Sequence, residues 1–531
     1  MIGKKKYFRS DVLVEPLFNQ WHAWSYLISP ATAPMYIANS HCKIMQSFIS
    51  APQLHINAIK DPLMRGGPFI HYDHTKVGEI RKLLEITIKE NAKMLEFAEA
   101  VKILDNQLTN EATGCSLEPL YQSIPDILGG YIELVYDLNN HPSIRLIEGL
   151  LYRSLIYNVN AQSILLSNLY DRPFVFSTPR LQENGRLQLR IPFNHDGIDN
   201  LAGMRYVPQQ IDYIKEILMI DEKDAGLFST FFTEEAPRKN PEYSDDHVRI
   251  RYFGHACILI ETRGISILCD PLIGYDGQSE INHFTFNDLP EKIDYVLITH
   301  NHQDHLTFET LLQIRHKIGT LIVPKSSANS LADPSVKLAL RNIGFNMVSE
   351  IEEMESILHD YAVITAIPFL GEHADLNIMT KTGYLITIKG RSILIMADSN
   401  NIHPKLYEQI RQEIGGVDMI FLGMECDGAP LSWLYGPLLT KPLTRKMDQS
   451  RRFDGSNYAK AVDLVNRFHP QYVFIYAMGQ EPWMKFLTSI EYTEQSRPII
   501  ESDKLLEECR RRGLVTERLY GKKEIMLEAR R

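Results

Sequence analysis

The densest group of metal-binding side chain types in this 531-residue chain is Thr299-His300-Asn301-His302-Gln303-Asp304-His305. Three imidazoles and one carboxylate fall within six consecutive positions. Both groups ligate transition metals. His300 and His302, at i and i+2, can reach one metal from an extended loop. Asp304 and His305, opening the next turn, can reach a second. Such a pair can activate water for hydrolysis or, with redox-active metals, support oxidation.

The flanking residues say what must position this cluster. Ile293-Asp294-Tyr295-Val296-Leu297-Ile298 reads as a buried strand. Leu306, Leu311, Leu312 and Ile314 follow with helical spacing. The cluster therefore sits where a strand ends and a helix begins. Further strands are expected at 248–252, 257–260, 265–268, 320–323, 362–367, 384–388, 393–396, 419–422 and 472–476, several of them separated by helical segments. Three strand ends add candidates. Asp398 follows the apolar Ile395-Met396-Ala397, and Glu425 follows another core strand as an orienting or proton-relaying carboxylate. After Ile367, either Glu372 or His373 can supply a ligand. His469 reads as a structural histidine, and His255 as a structural one or, alternatively, as one that supports a metal ligand.

Upstream of the polar, proline-flanked Ala236–Pro241 the pattern differs. One long helix is expected from Val77 to about Leu108, with Ile80, Leu83, Leu84, Ile88, Met94, Leu95, Ala98 and Val101 on its apolar face. Strand-like runs at 131–136 and 187–191 and a helix at 211–220 make this half mixed α+β. Trp21 and Trp24 read as core residues. The expected division is residues 1–240, an N-terminal dimerisation or carrier-docking domain, and residues 245–531, the catalytic domain. A homodimer is expected.

Composition sets outer limits. Hydrophobic content is 44% and charged content 23%, as in globular proteins. A formal charge of −10 argues against a general nucleic-acid binder. No stretch reads as a signal peptide or membrane span. Six scattered cysteines without a CxxC pair suggest buried thiols in a reducing cytoplasm.

Residues 248 to about 480 resemble the metallo-β-lactamase superfamily. The His-x-His-x-Asp-His signature is complete at 300–305, and Gly254-His255-Ala256 and Leu268-Cys269-Asp270-Pro271 match its opening hairpins. The resemblance implies an αββα sandwich with two metals at one sheet edge and Asp398 as the bridging carboxylate. Two departures stand out. Ala477 occupies the place of the superfamily's last histidine, and Glu372 is available where it supplies an imidazole. Three imidazoles and three carboxylates form a harder ligand set, suited to iron or manganese.

The whole chain is similar to the diiron β-hydroxylases of nonribosomal peptide assembly lines, the chloramphenicol-biosynthesis type. Gly371-Glu372-His373-Ala374-Asp375 carries that likeness furthest. It implies one iron on His300, His302 and Glu372, a second on Asp304 and His305, and Asp398 between them. The implied reaction is O2-dependent hydroxylation at the β-carbon of an aminoacyl group, held as a thioester on a carrier domain's phosphopantetheine arm. An external electron donor is required. The rival reading is a zinc- or manganese-dependent hydrolase of a lactone, phosphodiester or amide, which needs His373 as the ligand. The basic run from Lys441 to Lys460, with Arg451 and Arg452, is expected to dock an acidic carrier.

Overall fold

A computed structural model describes residues 4–238, 242–327 and 329–530. Of the expected boundary segment, residues 239–241 lie outside the described residues.

In the N-terminal half, β1 (Val12–Phe18) and β2 (Trp21–His22) join β3 (Gln162–Asn168) and β4 (Arg186–Leu189) in one antiparallel sheet, ordered β2-β1-β3-β4. Trp21 and Trp24 are both buried. The expected long helix is two helices, α1 (Val77–Glu90) and α2 (Ala92–Glu111). The break is Asn91, which leaves the helical conformation at φ −116°. Its buried amide donates to the Thr87 carbonyl and accepts from Asn19 and Asn158. A side chain that competes for backbone groups in this way interrupts a helix whatever its flanking periodicity. Ile88, expected on the apolar face, is 43% exposed, and the first helix buries Ile80, Leu83, Leu84 and Thr87 instead. The helix expected at 211–220 spans Ile211–Ile217.

The C-terminal half is built on two seven-stranded sheets. The first contains β5 (Val248–Gly254), β6 (Cys257–Thr262), β7 (Ile265–Cys269), β8 (Ile293–Leu297), β9 (Ile318–Pro324) and β10 (Val348–Ile351). The second contains β11 (Ser356–His359), β12 (Ala362–Ile367), β13 (Gly383–Ile388), β14 (Arg391–Ile395), β15 (Met419–Gly423), β16 (Tyr472–Tyr476) and β17 (Val515–Arg518). The last strand, β18 (Lys523–Leu527), crosses back to pair with β5. In each sheet antiparallel hairpins lead into parallel strands, at β7–β8 and at β14–β15.

Ile250, Ile258, Ile267, Ile364, Ile386 and Phe421 interlock between the sheets. Each such side chain, fully buried, contributes about 1.5–3 kcal/mol relative to exposure. On the outer face of the second sheet, α5 (Lys405–Ile414), α7 (Tyr458–Phe468) and α8 (Arg497–Arg511) bury a separate core. The first sheet is covered by α3 (Phe308–Ile314) and α4 (Val336–Asn342). A short helix, α6 (Leu431–Tyr435), lies in the connection between β15 and α7. This is the αββα sandwich expected from the sequence. The largest apolar core runs from Phe8 to Phe453, so the two halves of the chain share one interior. All six cysteines are free thiols. Among the described residues no helix is long and apolar enough to cross a membrane.

Candidate metal centre

Parallel strands end at one sheet edge, and loops leaving those ends can converge there. The loop after β8 carries His300, His302, Asp304 and His305; the loop after β12 carries Glu372; the loop after β14 carries Asp398. The Glu372 loop is tightly coiled. Gly371 has φ +86°, and a Cβ there would collide with Asn400. Glu372 itself has φ +67°, a conformation that costs an L-residue free energy and persists only where its surroundings impose it. Lys381 Nζ donates to the Gly371 carbonyl at 3.2 Å, and Arg451 Nε donates to the Ala374 carbonyl at 2.8 Å.

The donor atoms converge. His302 Nδ1 lies 2.9 Å from Glu372 Oε1 and 3.2 Å from His300 Nε2. His305 Nε2 lies 3.1 Å from Asp398 Oδ2, and His300 Nε2 lies 3.8 Å from the same oxygen. Ligand atoms of His300, His302 and Glu372 fall within 4.8 Å of one another, as do those of His300, His305 and Asp398, and those of His255, Asp304 and His305. Asp398 thus stands between the His300 and His305 rings.

Electrostatics point the same way. Burial, and then the Asp398 and Asp304 carboxylates, push the Glu372 carboxyl well above its usual range. Burial and the neighbouring imidazoles push His300 well below its own, so its lone pair is free. Burial opposes charge on His305, but Asp398, Asp270 and Asp304 outweigh it and drive its pKa well up. Asp398 Oδ1 is buried with no hydrogen-bond partner. Crowded carboxylates facing imidazole lone pairs are costly alone and favourable around cations. The residues present therefore fit two metal ions.

Supporting contacts orient the rings. The Tyr435 hydroxyl on α6 is 3.0 Å from His302 Nε2, leaving Nδ1 for a metal. Fully buried Asp270, just after β7, lies 2.8 Å from His305 Nδ1 and accepts from Thr299 N and Oγ1 at 2.7 and 2.6 Å. That carboxylate places the His305 proton on Nδ1 and leaves Nε2 toward Asp398.

Glu425 is partly buried, and burial pushes its carboxyl up to about 8. Its Oε1 accepts from Asp427 N at 3.1 Å, and Oε2 has no partner. His373 lies outside the three ligand groups. Its ring stacks on His302 at 4.6 Å with both nitrogens unpartnered. His469 terminates α7 in a left-handed conformation. Ala477 has φ +54° and donates its N–H to the His255 carbonyl.

Of the two roles open to His255, its surroundings favour support of a ligand. Its Nε2 lies 3.3 Å from Asp304 Oδ2, and its ring stands edge-on to His305 at 5.0 Å, beside the ligand cluster. The expected docking patch differs. Arg451 braces the Glu372 loop, Arg452 pairs with Asp427 at 3.5 Å, and Lys460 donates to Asn400 at 2.7 Å. Lys441 donates to Thr109 at 2.9 Å, so internal partners hold four of the six cations invoked for docking. Sequence reasoning left Tyr435 and Asp270 without roles at the metals; for Asp270 a signal existed, an acid closing a largely apolar strand.

Fold and donor set together define a metallo-β-lactamase-fold protein with a carboxylate-rich dinuclear centre. Residues 7–237 match the diiron non-heme β-hydroxylase N-terminal domain, and residues 266–429 match the β-lactamase superfamily domain. The chain is 38% identical to the 4-amino-L-phenylalanyl-[CmlP-peptidyl-carrier-protein] 3-hydroxylase of Streptomyces venezuelae, over 98% of this chain and 99% of that one. It superposes on the crystal structure of CmlA, a diiron β-hydroxylase from the same organism, with TM-score 0.92 and 37% identity, covering 99% of this chain and all of that one. A UPF0173 protein of Pyrococcus abyssi shares 33% identity over 139 residues, 26% of this chain and 55% of its own length. The chain belongs to the diiron non-heme β-hydroxylases.

Proposed function

We propose that this protein hydroxylates the β-carbon of an aminoacyl group presented as a thioester on the phosphopantetheine arm of a nonribosomal peptide synthetase carrier domain. The observation that carries the reading is Glu372, a carboxylate beside His302 where a zinc hydrolase of this fold would place an imidazole. It stands in a chain with full-length likeness to a hydroxylase of a carrier-bound aminoacyl group.

His300, His302 and Glu372 are read as holding one iron, Asp304 and His305 the other, with Asp398 shared. Two bound irons supply the reductive activation of O2 that delivers one oxygen atom into a C–H bond, with electrons from an external donor. The protein's own residues do the rest. Asp270 fixes which ring nitrogen of His305 carries the proton, and the Tyr435 hydroxyl holds the His302 ring in place. Glu425 holds a proton near neutral pH close to Asp398, so it is read as the proton donor of the site. The buried first sheet and the N-terminal half keep water from the far side of the His300 loop.

The reading extends to a cytoplasmic protein, supported by six free thiols. It extends also to a homodimer, supported by the exposed Leu138, Leu150 and Leu155 of the N-terminal half. The division at residue 240 into docking and catalytic domains is part of the same reading.

The test is a single-turnover reaction of the chemically reduced, iron-loaded protein with O2 and carrier domains charged with a panel of amino acids. A carrier-bound product heavier by one oxygen atom is expected. Cleavage of lactone, phosphodiester or amide substrates with no hydroxylation of any charged carrier would overturn the reading.

A further inference from the structure

Asn301 and Gln303 alternate with the ligands of the His300 loop and are as buried as they are, at 1% and 4% exposure. Their side chains bond to the N-terminal half. Ser25 Oγ donates to Asn301 Oδ1. Gln303 Nε2 donates to His22 Nδ1 at 2.7 Å. The other nitrogen of His22 lies 2.8 Å from Glu309 Oε2. Glu309 is ion-paired with Arg172 at 2.8 Å, and an ionised carboxylate only accepts. The His22 proton is therefore on Nε2, and Nδ1 offers its lone pair to the Gln303 amide.

Glu309 anchors this arrangement. It sits in the first turn of α3, four residues past His305, and also accepts from the Tyr275 hydroxyl at 2.9 Å. Glu15 extends the network through Arg180 at 2.9 Å and Arg172 at 3.7 Å. Two carboxylates and two guanidiniums balance, so the buried network is neutral and needs no charge on His22. The metal loop is thus pinned at Asn301, Gln303 and Glu309 by Ser25, His22 and Arg172, all from the N-terminal half.

A network that only sealed the interface could attach anywhere along α3. This one attaches at the two positions between His300, His302 and Asp304, where a turn of either amide swings the ligand next to it. We propose that His22, acting through Gln303, and Ser25, acting through Asn301, are positioning residues for the metal ligands, so that the N-terminal half sets the geometry of a centre whose ligands all come from the C-terminal half. The proposal rests on the ligand assignment given under the proposed function.

The test is titration of the metal-free, full-length protein with Co(II), followed by its visible ligand-field absorption. Binding of two Co(II) by the unaltered protein tests the ligand assignment alone; failure there sinks that assignment and the clamp with it. Given two bound Co(II), Gln303→Leu is expected to weaken at least one of them by about tenfold or more and to change the spectrum. His22→Asn keeps an acceptor at the Nδ1 position and should stay within about threefold of the unaltered protein, less than the loss of one neutral hydrogen bond. His22→Gln keeps the donor toward Glu309 but loses that acceptor, and should behave like Gln303→Leu. Unchanged Co(II) affinity and spectrum in Gln303→Leu, with only a lower melting temperature, would overturn the proposal. So would equal behaviour of the two His22 variants. Should Gln303→Leu not fold, Ser25→Ala decides: a loss of more than about threefold in Co(II) affinity supports the clamp, and a smaller one overturns it.

Discussion

The Glu372 carboxylate lies 2.9 Å from Nδ1 of His302, on the ring edge opposite the Tyr435 hydroxyl. Next to it in sequence, His373 turns its ring face onto His302 and offers no nitrogen to the ligand groups. Two adjacent residues of ligand type are therefore separated by orientation alone. Glu372→Ala is expected to lose most of the iron, whereas His373→Ala keeps it and loses stability, because a stacked buried ring is gone. Glu372→His should favour zinc and abolish hydroxylation. Metal analysis of the three purified variants checks this; an empty His373→Ala site beside a filled Glu372→Ala site would contradict it.

Asp270 controls which nitrogen of His305 carries the proton. In Asp270→Asn an N–H replaces one acceptor oxygen and meets the His305 Nδ1 proton. The ring then favours the Nε2–H form, which has no lone pair on the metal side. The expected outcome is 10–100-fold weaker binding of one metal, as is usual for partners of metal-bound histidine. It should come with about 1–3 kcal/mol of destabilisation from buried groups left without good acceptors. Metal titration and thermal unfolding read the two effects separately. Full occupancy of both sites in Asp270→Asn would show that Asp270 does not set the tautomer.

Away from the metals, Glu148 gives a pH-dependent prediction. Burial raises its carboxyl from the ordinary 4.5 to about 7, against the Ser335 N–H, which lies 3.1 Å from each oxygen. A carboxyl raised in the folded state favours folding when protonated. That contribution is complete below pH 4.5 and is lost as pH rises through about 7. The loss is on the order of 3 kcal/mol. Glu148→Gln keeps an acceptor for Ser335 and cannot ionise. Its melting temperature relative to the unaltered protein should therefore climb between pH 5 and pH 8, by several degrees. Parallel melting curves across that range would contradict the assignment.

What the sequence disclosed depends on how local each feature is. His300, His302, Asp304 and His305 are contiguous, and Asp398 and Glu372 follow strands long enough to be seen from their apolar runs. Strand ends of an α/β sheet gather at one edge, so placement came with the strands. Tyr435 is 133 residues from His302, on a five-residue helix, and nothing in its neighbourhood marks it. His22 is 281 residues from Gln303, in a segment whose tryptophans say only that it is buried. The break at Asn91 was hidden for another reason. Periodicity reports one face of a helix, and the break arises from an amide bonding to Asn19 and Asn158 across the fold. Arg451 looked like a docking cation because a run of charges does not reveal that Ala374 needs a donor.

The central claim is that this ligand set holds two irons that activate O2. The most direct measurement is metal content and optical absorption of protein produced in iron-rich medium, followed by reduction and exposure to O2. About two iron atoms per chain are expected, with the near-ultraviolet and visible absorption of an oxo- or hydroxo-bridged diferric pair that bleaches on reduction and returns with O2. Two zinc atoms in the active protein, with the iron form inactive, would contradict the account.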